Sequence, residues 1–545
     1  MSRSQATFSG EHAIQARWRQ YGAALLLLSC CAAALARPVL AQPAPSQPAP
    51  SQPAASVSTW PAPSDRAISG PRHFSKVQSG TFNARRVRYH VLLDEVIVRD
   101  RQGRDASSVF TTAFVADGKA ASDRPVVIVF NGGPGAASNM LMFGALGPRR
   151  MVSLTTAAMA DPATPVVAND DTILDVADLL FYDPPETGYG RPVDGADPLT
   201  FRSSDGDSHA AAQTILHWLV RHGRIASPVY LVGESYGTHR AVMLARDLRN
   251  ASPQVKVAGL VLVSQALTYN GPPDRAVRGL PDPARSIVRL PDAVPLAWYH
   301  GLIDNRTQTL EQAVHKARDY AYGDYASALL RGNRLSQAER AGVASRLEQI
   351  IGLPAAYFLA HDLRMGSVRR DLLASRGLAL GQFDGRETEP LNGTPVDRDR
   401  DWTRASAGIT HAMEAYVAGM FGQTGLPAYR SIVPDPYGFE DSWRYIAPPG
   451  PGLDVVLDEQ LALDPALRVM MTFGVFDATS SLGATEYLVS QLPHGKGRVN
   501  LTYYPGGHML YSDLPGLKAL TADIRAFVTG QPVRDAALPE GAPAR

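Results

Sequence analysis

Five short, nearly unbroken apolar runs constrain what this chain can fold into. They are VVIVF (Val126 to Phe130), DLLFYD (Asp178 to Asp183), VYLV (Val229 to Val232), VAGLVLV (Val257 to Val263) and RVMMTF (Arg468 to Phe473). Runs this short and this apolar read as strands covered on both faces, as in parallel sheets. Helical patterns such as Ser208 to His222 and Thr238 to Leu248 stand between them, and strand–helix alternation implies a central, mostly parallel sheet. Before the first run, Val87 to Val115 alternates apolar and polar residues around a turn-rich segment at Asp100 to Asp105. That is the pattern of antiparallel strands entering the sheet. The fold class is therefore α/β, and a 545-residue chain with 45% hydrophobic content has ample material for its core.

Four short motifs fall where such a sheet concentrates chemistry. GESYG (Gly233 to Gly237) follows the strand PVYLV and precedes a helix. A sharp strand-to-helix turn of this kind lifts the Ser235 hydroxyl above the sheet, and flanking glycines allow close chain passage. A serine hydroxyl needs a base; His508, in PGGHM after the strand-like NLTYY, is the candidate. The base needs a carboxylate to fix its tautomer, and Asp477 ends FGVFD directly after RVMMTF. NGGPG (Asn131 to Gly135) follows VVIVF as a tight loop whose amides can face a cavity. Each motif alone also has a bland reading: a chance GxSxG, a solvent-facing histidine, a helix-capping aspartate, a plain strand-to-helix turn. Three strand ends carrying Ser, Asp and His in that chain order are the arrangement of the α/β-hydrolases.

With these residues in place, the chain resembles the serine carboxypeptidases. NGGPG, GESYG, LGP (Leu146 to Pro148), GVFDATS and GGHM all stand in order, and DLLFYDPPETGYG is similar to a further family segment, with Gly188 and Gly190 one place late. The resemblance spans about residues 85 to 528. It implies an α/β-hydrolase fold with a helical cap. It also implies a catalytic triad of Ser235, Asp477 and His508, an oxyanion hole from the amides of Gly133 and Tyr236, and a substrate-carboxylate site from Asn131, the Gly132 amide and Glu234. In the family, the glutamate matching Glu234 shares a proton with a second glutamate just before LGP. Here that position is Ala145, and the family's cysteine after NGGPG is Ala136. Without its partner, Glu234 is expected to ionise near the ordinary glutamate value of about 4.3 and to repel a C-terminal carboxylate. Arg149 and Arg150, just after LGP, are alternative carboxylate binders through bidentate contacts.

The rest of the chain bounds the setting. Arg17 and Arg19 precede an apolar stretch to Ala36, with a small-residue site at Val39-Leu40-Ala41, so residues 1–41 read as a cleaved export signal leading to the periplasm or the exterior. No stable membrane span is expected after cleavage; lipidation at Cys30 is a second possibility for the same segment. Both cysteines, Cys30 and Cys31, lie in the signal. Residues 42–65 read as a Pro/Ala/Ser-rich linker and 531–545 as a flexible tail. The core is expected in two parts, 66–280 and 411–530, separated by a helical cap insertion at 281–410. That cap is read as amphipathic helices without strands, with Gly323 to Asn333 and Gln382 to Glu387 as candidate entrance segments. The formal net charge is +1 and no basic run stands out, which argues against nucleic acid as a partner. HExxH and paired-cysteine spacings are missing, so neither a metal nor another cofactor is implied.

The expected activity is release of C-terminal residues from peptides through an acyl-enzyme, on a peptide or small acyl substrate, with oligomeric state left open. The alternatives are a serine esterase, amidase or acyltransferase indifferent to a free C-terminus, and a non-catalytic binding protein on the same scaffold.

Overall fold

The computed structural model describes residues 71–118, 123–268, 283–392, 404–433, 443, 452–534 and 537–538. The expected signal segment, the linker and both cysteines lie outside the described residues.

Nine strands form one sheet: β1 (His73–Phe82), β2 (Arg85–Arg99), β3 (Asp105–Ala116), β4 (Val126–Phe130), β5 (Asp178–Asp183), β6 (Pro228–Glu234), β7 (Lys256–Val263), β8 (Arg468–Gly474) and β9 (Val499–Tyr504). Their spatial order is β1-β2-β3-β5-β4-β6-β7-β8-β9. The first three strands pair antiparallel with one another and β3 pairs antiparallel with β5, whereas every pairing from β5 to β9 is parallel. This is the mostly parallel α/β-hydrolase sheet with antiparallel N-terminal strands that the sequence implies.

The apolar runs are continuous because both faces of the sheet are covered. On β4, Val126, Ile128 and Phe130 pack on one side with α1 (Ser204–Arg221) and α2 (Gly237–Ala251), while Val127 and Val129 pack on the other. Strand β4 lies between β5 and β6, so the strand order reverses there, and ligands bind beyond the carboxyl ends of strands at such a point. Asn131 leaves β4 at that end, and Ser235 follows β6 beside it.

After β7 come the helices α3 (Pro283–Tyr299), α4 (Leu310–Tyr320) and α5 (Gln337–Ile351). Local signals delimit them. At α5, Ser336 Oγ accepts from Glu339 N at 3.3 Å and Glu339 accepts from Ser336 N at 2.7 Å, and Gly352 closes the helix at φ 83°. Their buried faces share a cluster with Phe473, Val475, Phe476 and Tyr503, at the carboxyl ends of β8 and β9.

Two expectations about these regions need correcting. The block after α5 contains a short antiparallel hairpin, Leu378–Leu380 against Thr388–Pro390, where only helices were expected. Three-residue strands are too short to show a periodic signal in sequence. The tail after Gln531 is tied down in its described part: Arg534 is ion-paired with Asp523, and Leu538 is buried in the helical cluster. A further helix, α6 (Ala407–Phe421), starts inside the expected cap but contributes Ile409, Met413 and Val417 to the core under the sheet. The last helix, α7 (Leu514–Val528), covers the same face. Among the described residues no helix is long and apolar enough to cross a membrane.

Candidate active site

The turn after β6 holds Ser235 at φ 55°, a left-handed conformation that costs a non-glycine residue energy and is kept only when the surroundings impose it. Here they do. Ser235 N donates to the carbonyl of Val263 at 2.9 Å, and α2 starts at once. The NGGPG loop lies directly on this turn. A Cβ on Gly132 would sit 2.6 Å from both Tyr236 N and Glu234 O, so only glycine lets the two chains approach this closely. Asp183, at the end of β5, fastens the far side of the loop. It accepts from Ser138 N at 2.8 Å and Ser138 Oγ at 2.7 Å.

A residue that no motif signals supports this junction from below. Arg240 on α2 is 1% exposed. Its guanidinium bonds Asp207 at 2.8 and 3.1 Å and donates to the carbonyl of Asn131 at 2.7 Å. It also lies over the rings of Phe130, Tyr182 and Tyr236. One buried cation thus ties the oxyanion-loop candidate to the helix that follows the serine.

Asp477 and His508 lie side by side. Asp477 Oδ2 lies 2.8 Å from His508 Nδ1, and both residues are buried. The other carboxylate oxygen of Asp477 accepts from Thr479 N at 2.7 Å and Ser480 N at 3.0 Å, which fixes its orientation. His508 is held by its backbone: its N–H donates to Phe383 O at 2.5 Å and its carbonyl accepts from Ser264 Oγ at 2.7 Å. Ser480 Oγ is 3.2 Å from the same Nδ1. With Nδ1 engaged, Nε2 is the nitrogen left for a reacting hydroxyl. Burial works against the imidazolium, but the carboxylate of Asp477 and the nearby Glu234 hold the His508 pKa above its ordinary value. Among the described residues no hydrogen bond joins Ser235 Oγ to His508; in free enzymes this contact is often long and tightens with substrate.

Glu234 departs from the sequence expectation. It is 3% exposed, and burial pushes its carboxyl up to about 7, with the His508 charge pulling the other way. Asn131 Nδ2 donates to its Oε2 at 2.7 Å, and the hydroxyl of Tyr511 donates to the same oxygen. Sequence reading missed Tyr511, because nothing in GGHMLY marks the sixth residue as a partner of a glutamate 277 positions earlier. The alternative binders have other contacts: Arg149 donates to Val166 O and lines a cavity with Tyr89 and Tyr416, and Arg150 donates to Met151 O.

A cavity of about 460 Å³ begins one residue from the base, lined by Tyr299, Phe383, Arg386, Glu387 and Met509 among others. Neither Ser235 nor His508 lines it. Of the two candidate entrance segments, Gln382 to Glu387 contributes to this cavity. From Gly323 to Asn333, Tyr325 lines a separate cavity of about 440 Å³ in the helical block. Among the described residues no cluster of three or more histidine, cysteine or acidic side chains could hold a metal ion.

Residues 102–342 match the family model for serine carboxypeptidases, a span that includes NGGPG and GESYG and ends before Asp477 and His508. No curated protein matches the sequence. Among solved structures, the chain is similar to Kex1, a prohormone-processing carboxypeptidase from Saccharomyces cerevisiae, at 14% identity and a TM-score of 0.47, over 82% of this chain and 95% of that one. It is also similar to a thermostable carboxyl esterase from Bacillus coagulans (15% identity, TM-score 0.34, 80% and 98% covered). A proline iminopeptidase from Mycobacterium smegmatis is a third such structure (13%, 0.31, 78% and 95%). By their match to the family model, residues 102–342 carry a serine carboxypeptidase domain, and the chain is a serine hydrolase of α/β-hydrolase fold.

Proposed function

We propose that the chain is a carboxypeptidase that removes C-terminal residues from peptides through an acyl-enzyme on Ser235. His508 Nε2 takes the hydroxyl proton as Ser235 Oγ bonds to the scissile carbonyl carbon, and Asp477 stabilises the imidazolium. The amides of Gly133 and Tyr236 receive the oxyanion, a contribution typically of about 3–4 kcal/mol. When the tetrahedral adduct collapses, His508 returns the proton to the departing amine. Water, deprotonated by the same nitrogen, then frees the acyl group and restores the serine.

The observation that carries the exopeptidase reading is the setting of Glu234: a buried carboxyl whose Oε2 accepts from Asn131 Nδ2 and from the hydroxyl of Tyr511. A carboxyl that burial pushes up to about 7, ordered by Asn131 beside the base, can stay protonated and donate to an anion at mildly acidic pH. Asn131, the Gly132 amide and Glu234 form the proposed seat of the substrate's terminal carboxylate. The helical block over the ends of β8 and β9 is the proposed cap, and residues 1–41 are the proposed export signal.

The test is hydrolysis of one peptide with a free and with an amidated C-terminus. Preference for the free acid supports the reading; equal rates replace it with an esterase or amidase on the same triad.

A further inference from the structure

We propose that Tyr511 is a positioning residue for carboxylate recognition. With Asn131 it commits Oε2 of Glu234 to accepting hydrogen bonds, so that the acid proton resides on Oε1 and is offered to the substrate. This inference rests on the reading of Glu234 as the carboxylate-binding group, and it replaces the expectation that the loss of a glutamate at Ala145 leaves Glu234 unsupported.

The geometry is restrictive. Tyr511 is 1% exposed and lies three residues after His508 on the same loop. Its hydroxyl donates to Glu234 Oε2, where Asn131 Nδ2 also donates at 2.7 Å, and Asn131 Nδ2 is 3.4 Å from the hydroxyl itself. The Asn131 amide cannot be reversed, because its Oδ1 accepts from Leu141 N at 3.0 Å. An oxygen facing two donors has no room for a proton of its own. Oε1 makes no hydrogen bond among the described residues and is the oxygen left to bear it.

The seat of the ring is built for it. A Cβ on Gly144 would sit 2.5 Å from Tyr511 Cε2, so the ring fills the space beside the segment that carries Ala145, where serine carboxypeptidases have their second glutamate. The groups that act on Glu234 are His508, Tyr511, Asp477 and Asn131. Burial, then the neighbouring Glu234, holds the Tyr511 phenol far above its ordinary pKa, so it remains a donor throughout the working range. A second carboxyl would share a proton with Glu234; a phenol instead dictates which oxygen holds it.

The experiment is steady-state kinetics of the wild type, Tyr511→Phe, Glu234→Gln and the double variant. Substrates are a blocked dipeptide with a free C-terminal carboxylate and its methyl ester, across pH. Loss of the hydrogen bond that fixes Oε2 as the acceptor predicts that Tyr511→Phe loses about tenfold more in KM on the free acid than on the ester. The alkaline limb on the free acid moves to higher pH, because a donor that stabilised the carboxylate is gone. In the Glu234→Gln background the same substitution has neither effect. Equal losses on acid and ester, an unmoved limb, or effects that persist in the Gln background would overturn the proposal. A wild type indifferent to acid and ester defeats the carboxylate-binding reading, and the Tyr511 inference with it. Should Tyr511→Phe fail to fold, infrared difference spectra of wild type against Glu234→Gln still decide: a protonated carboxyl band below about pH 7 is expected, and its absence overturns the assignment.

Discussion

The guanidinium of Arg240 holds the carbonyl oxygen of Asn131 at 2.7 Å, so a helix residue beneath the elbow sets the position of the loop above it. The same side chain neutralises the buried carboxylate of Asp207. Breaking a buried pair from one side strands a charge. Arg240→Met is therefore expected to destabilise the fold by about 3–5 kcal/mol, read by urea denaturation. Adding Asp207→Leu removes the stranded carboxylate and should recover part of the stability without recovering activity, since Asn131 stays unsupported. Equal stability of the single and double variants would count against the pair.

Ser235 stores strain at φ 55°. Ser235→Gly relieves it and is expected to raise stability by about 1 kcal/mol in thermal denaturation while abolishing turnover. Ser235→Ala keeps the strain and loses labelling by a fluorophosphonate probe. Its expected loss in kcat is on the order of 10⁶-fold. A glycine variant less stable than the alanine variant would refute the strain argument.

Asp477→Asn leaves one amide oxygen to accept from Thr479 N and Ser480 N but turns an N–H toward His508, favouring the wrong imidazole tautomer. A loss of about 10⁴-fold in kcat is expected with little change in KM. Because Asp477 holds the His508 pKa up, the acid limb of the ester profile should also move to lower pH.

Glu234 couples stability to pH in the opposite sense to a salt-bridged acid. Its folded pKa of about 7 stands above the unfolded value near 4.5, so the folded state binds the proton more tightly. Its stabilising effect is present below the unfolded pKa and is lost as pH rises through about 7. The loss is on the order of 3 kcal/mol. Denaturation midpoints of Glu234→Gln should fall less steeply over that interval than those of the wild type. Parallel curves would show that Glu234 does not titrate there.

The parallel strands, the turn that carries Ser235 and the strand-end positions of Asp477 and His508 were legible because each depends on local order. A strand covered on both faces must be apolar throughout, and a strand-to-helix turn needs glycines whatever lies around it. Strand β1 escaped the reading: as the outermost strand it is mostly exposed, so it carries no run of buried side chains to betray it.

Sequence alone determined the residue types of the proposed triad, their order along the chain and the absence of a glutamate at Ala145. Only the tertiary structure decided what that absence means. The ionisation of Glu234 depends on how little water surrounds it and on which donors face it. One of those donors is Asn131 and the other is Tyr511, brought from the opposite end of the chain. Arg240 belongs to the same category, since its partners Asp207 and Asn131 come from different elements. Burial and electrostatic support arise from contacts between distant segments, and no local pattern encodes them.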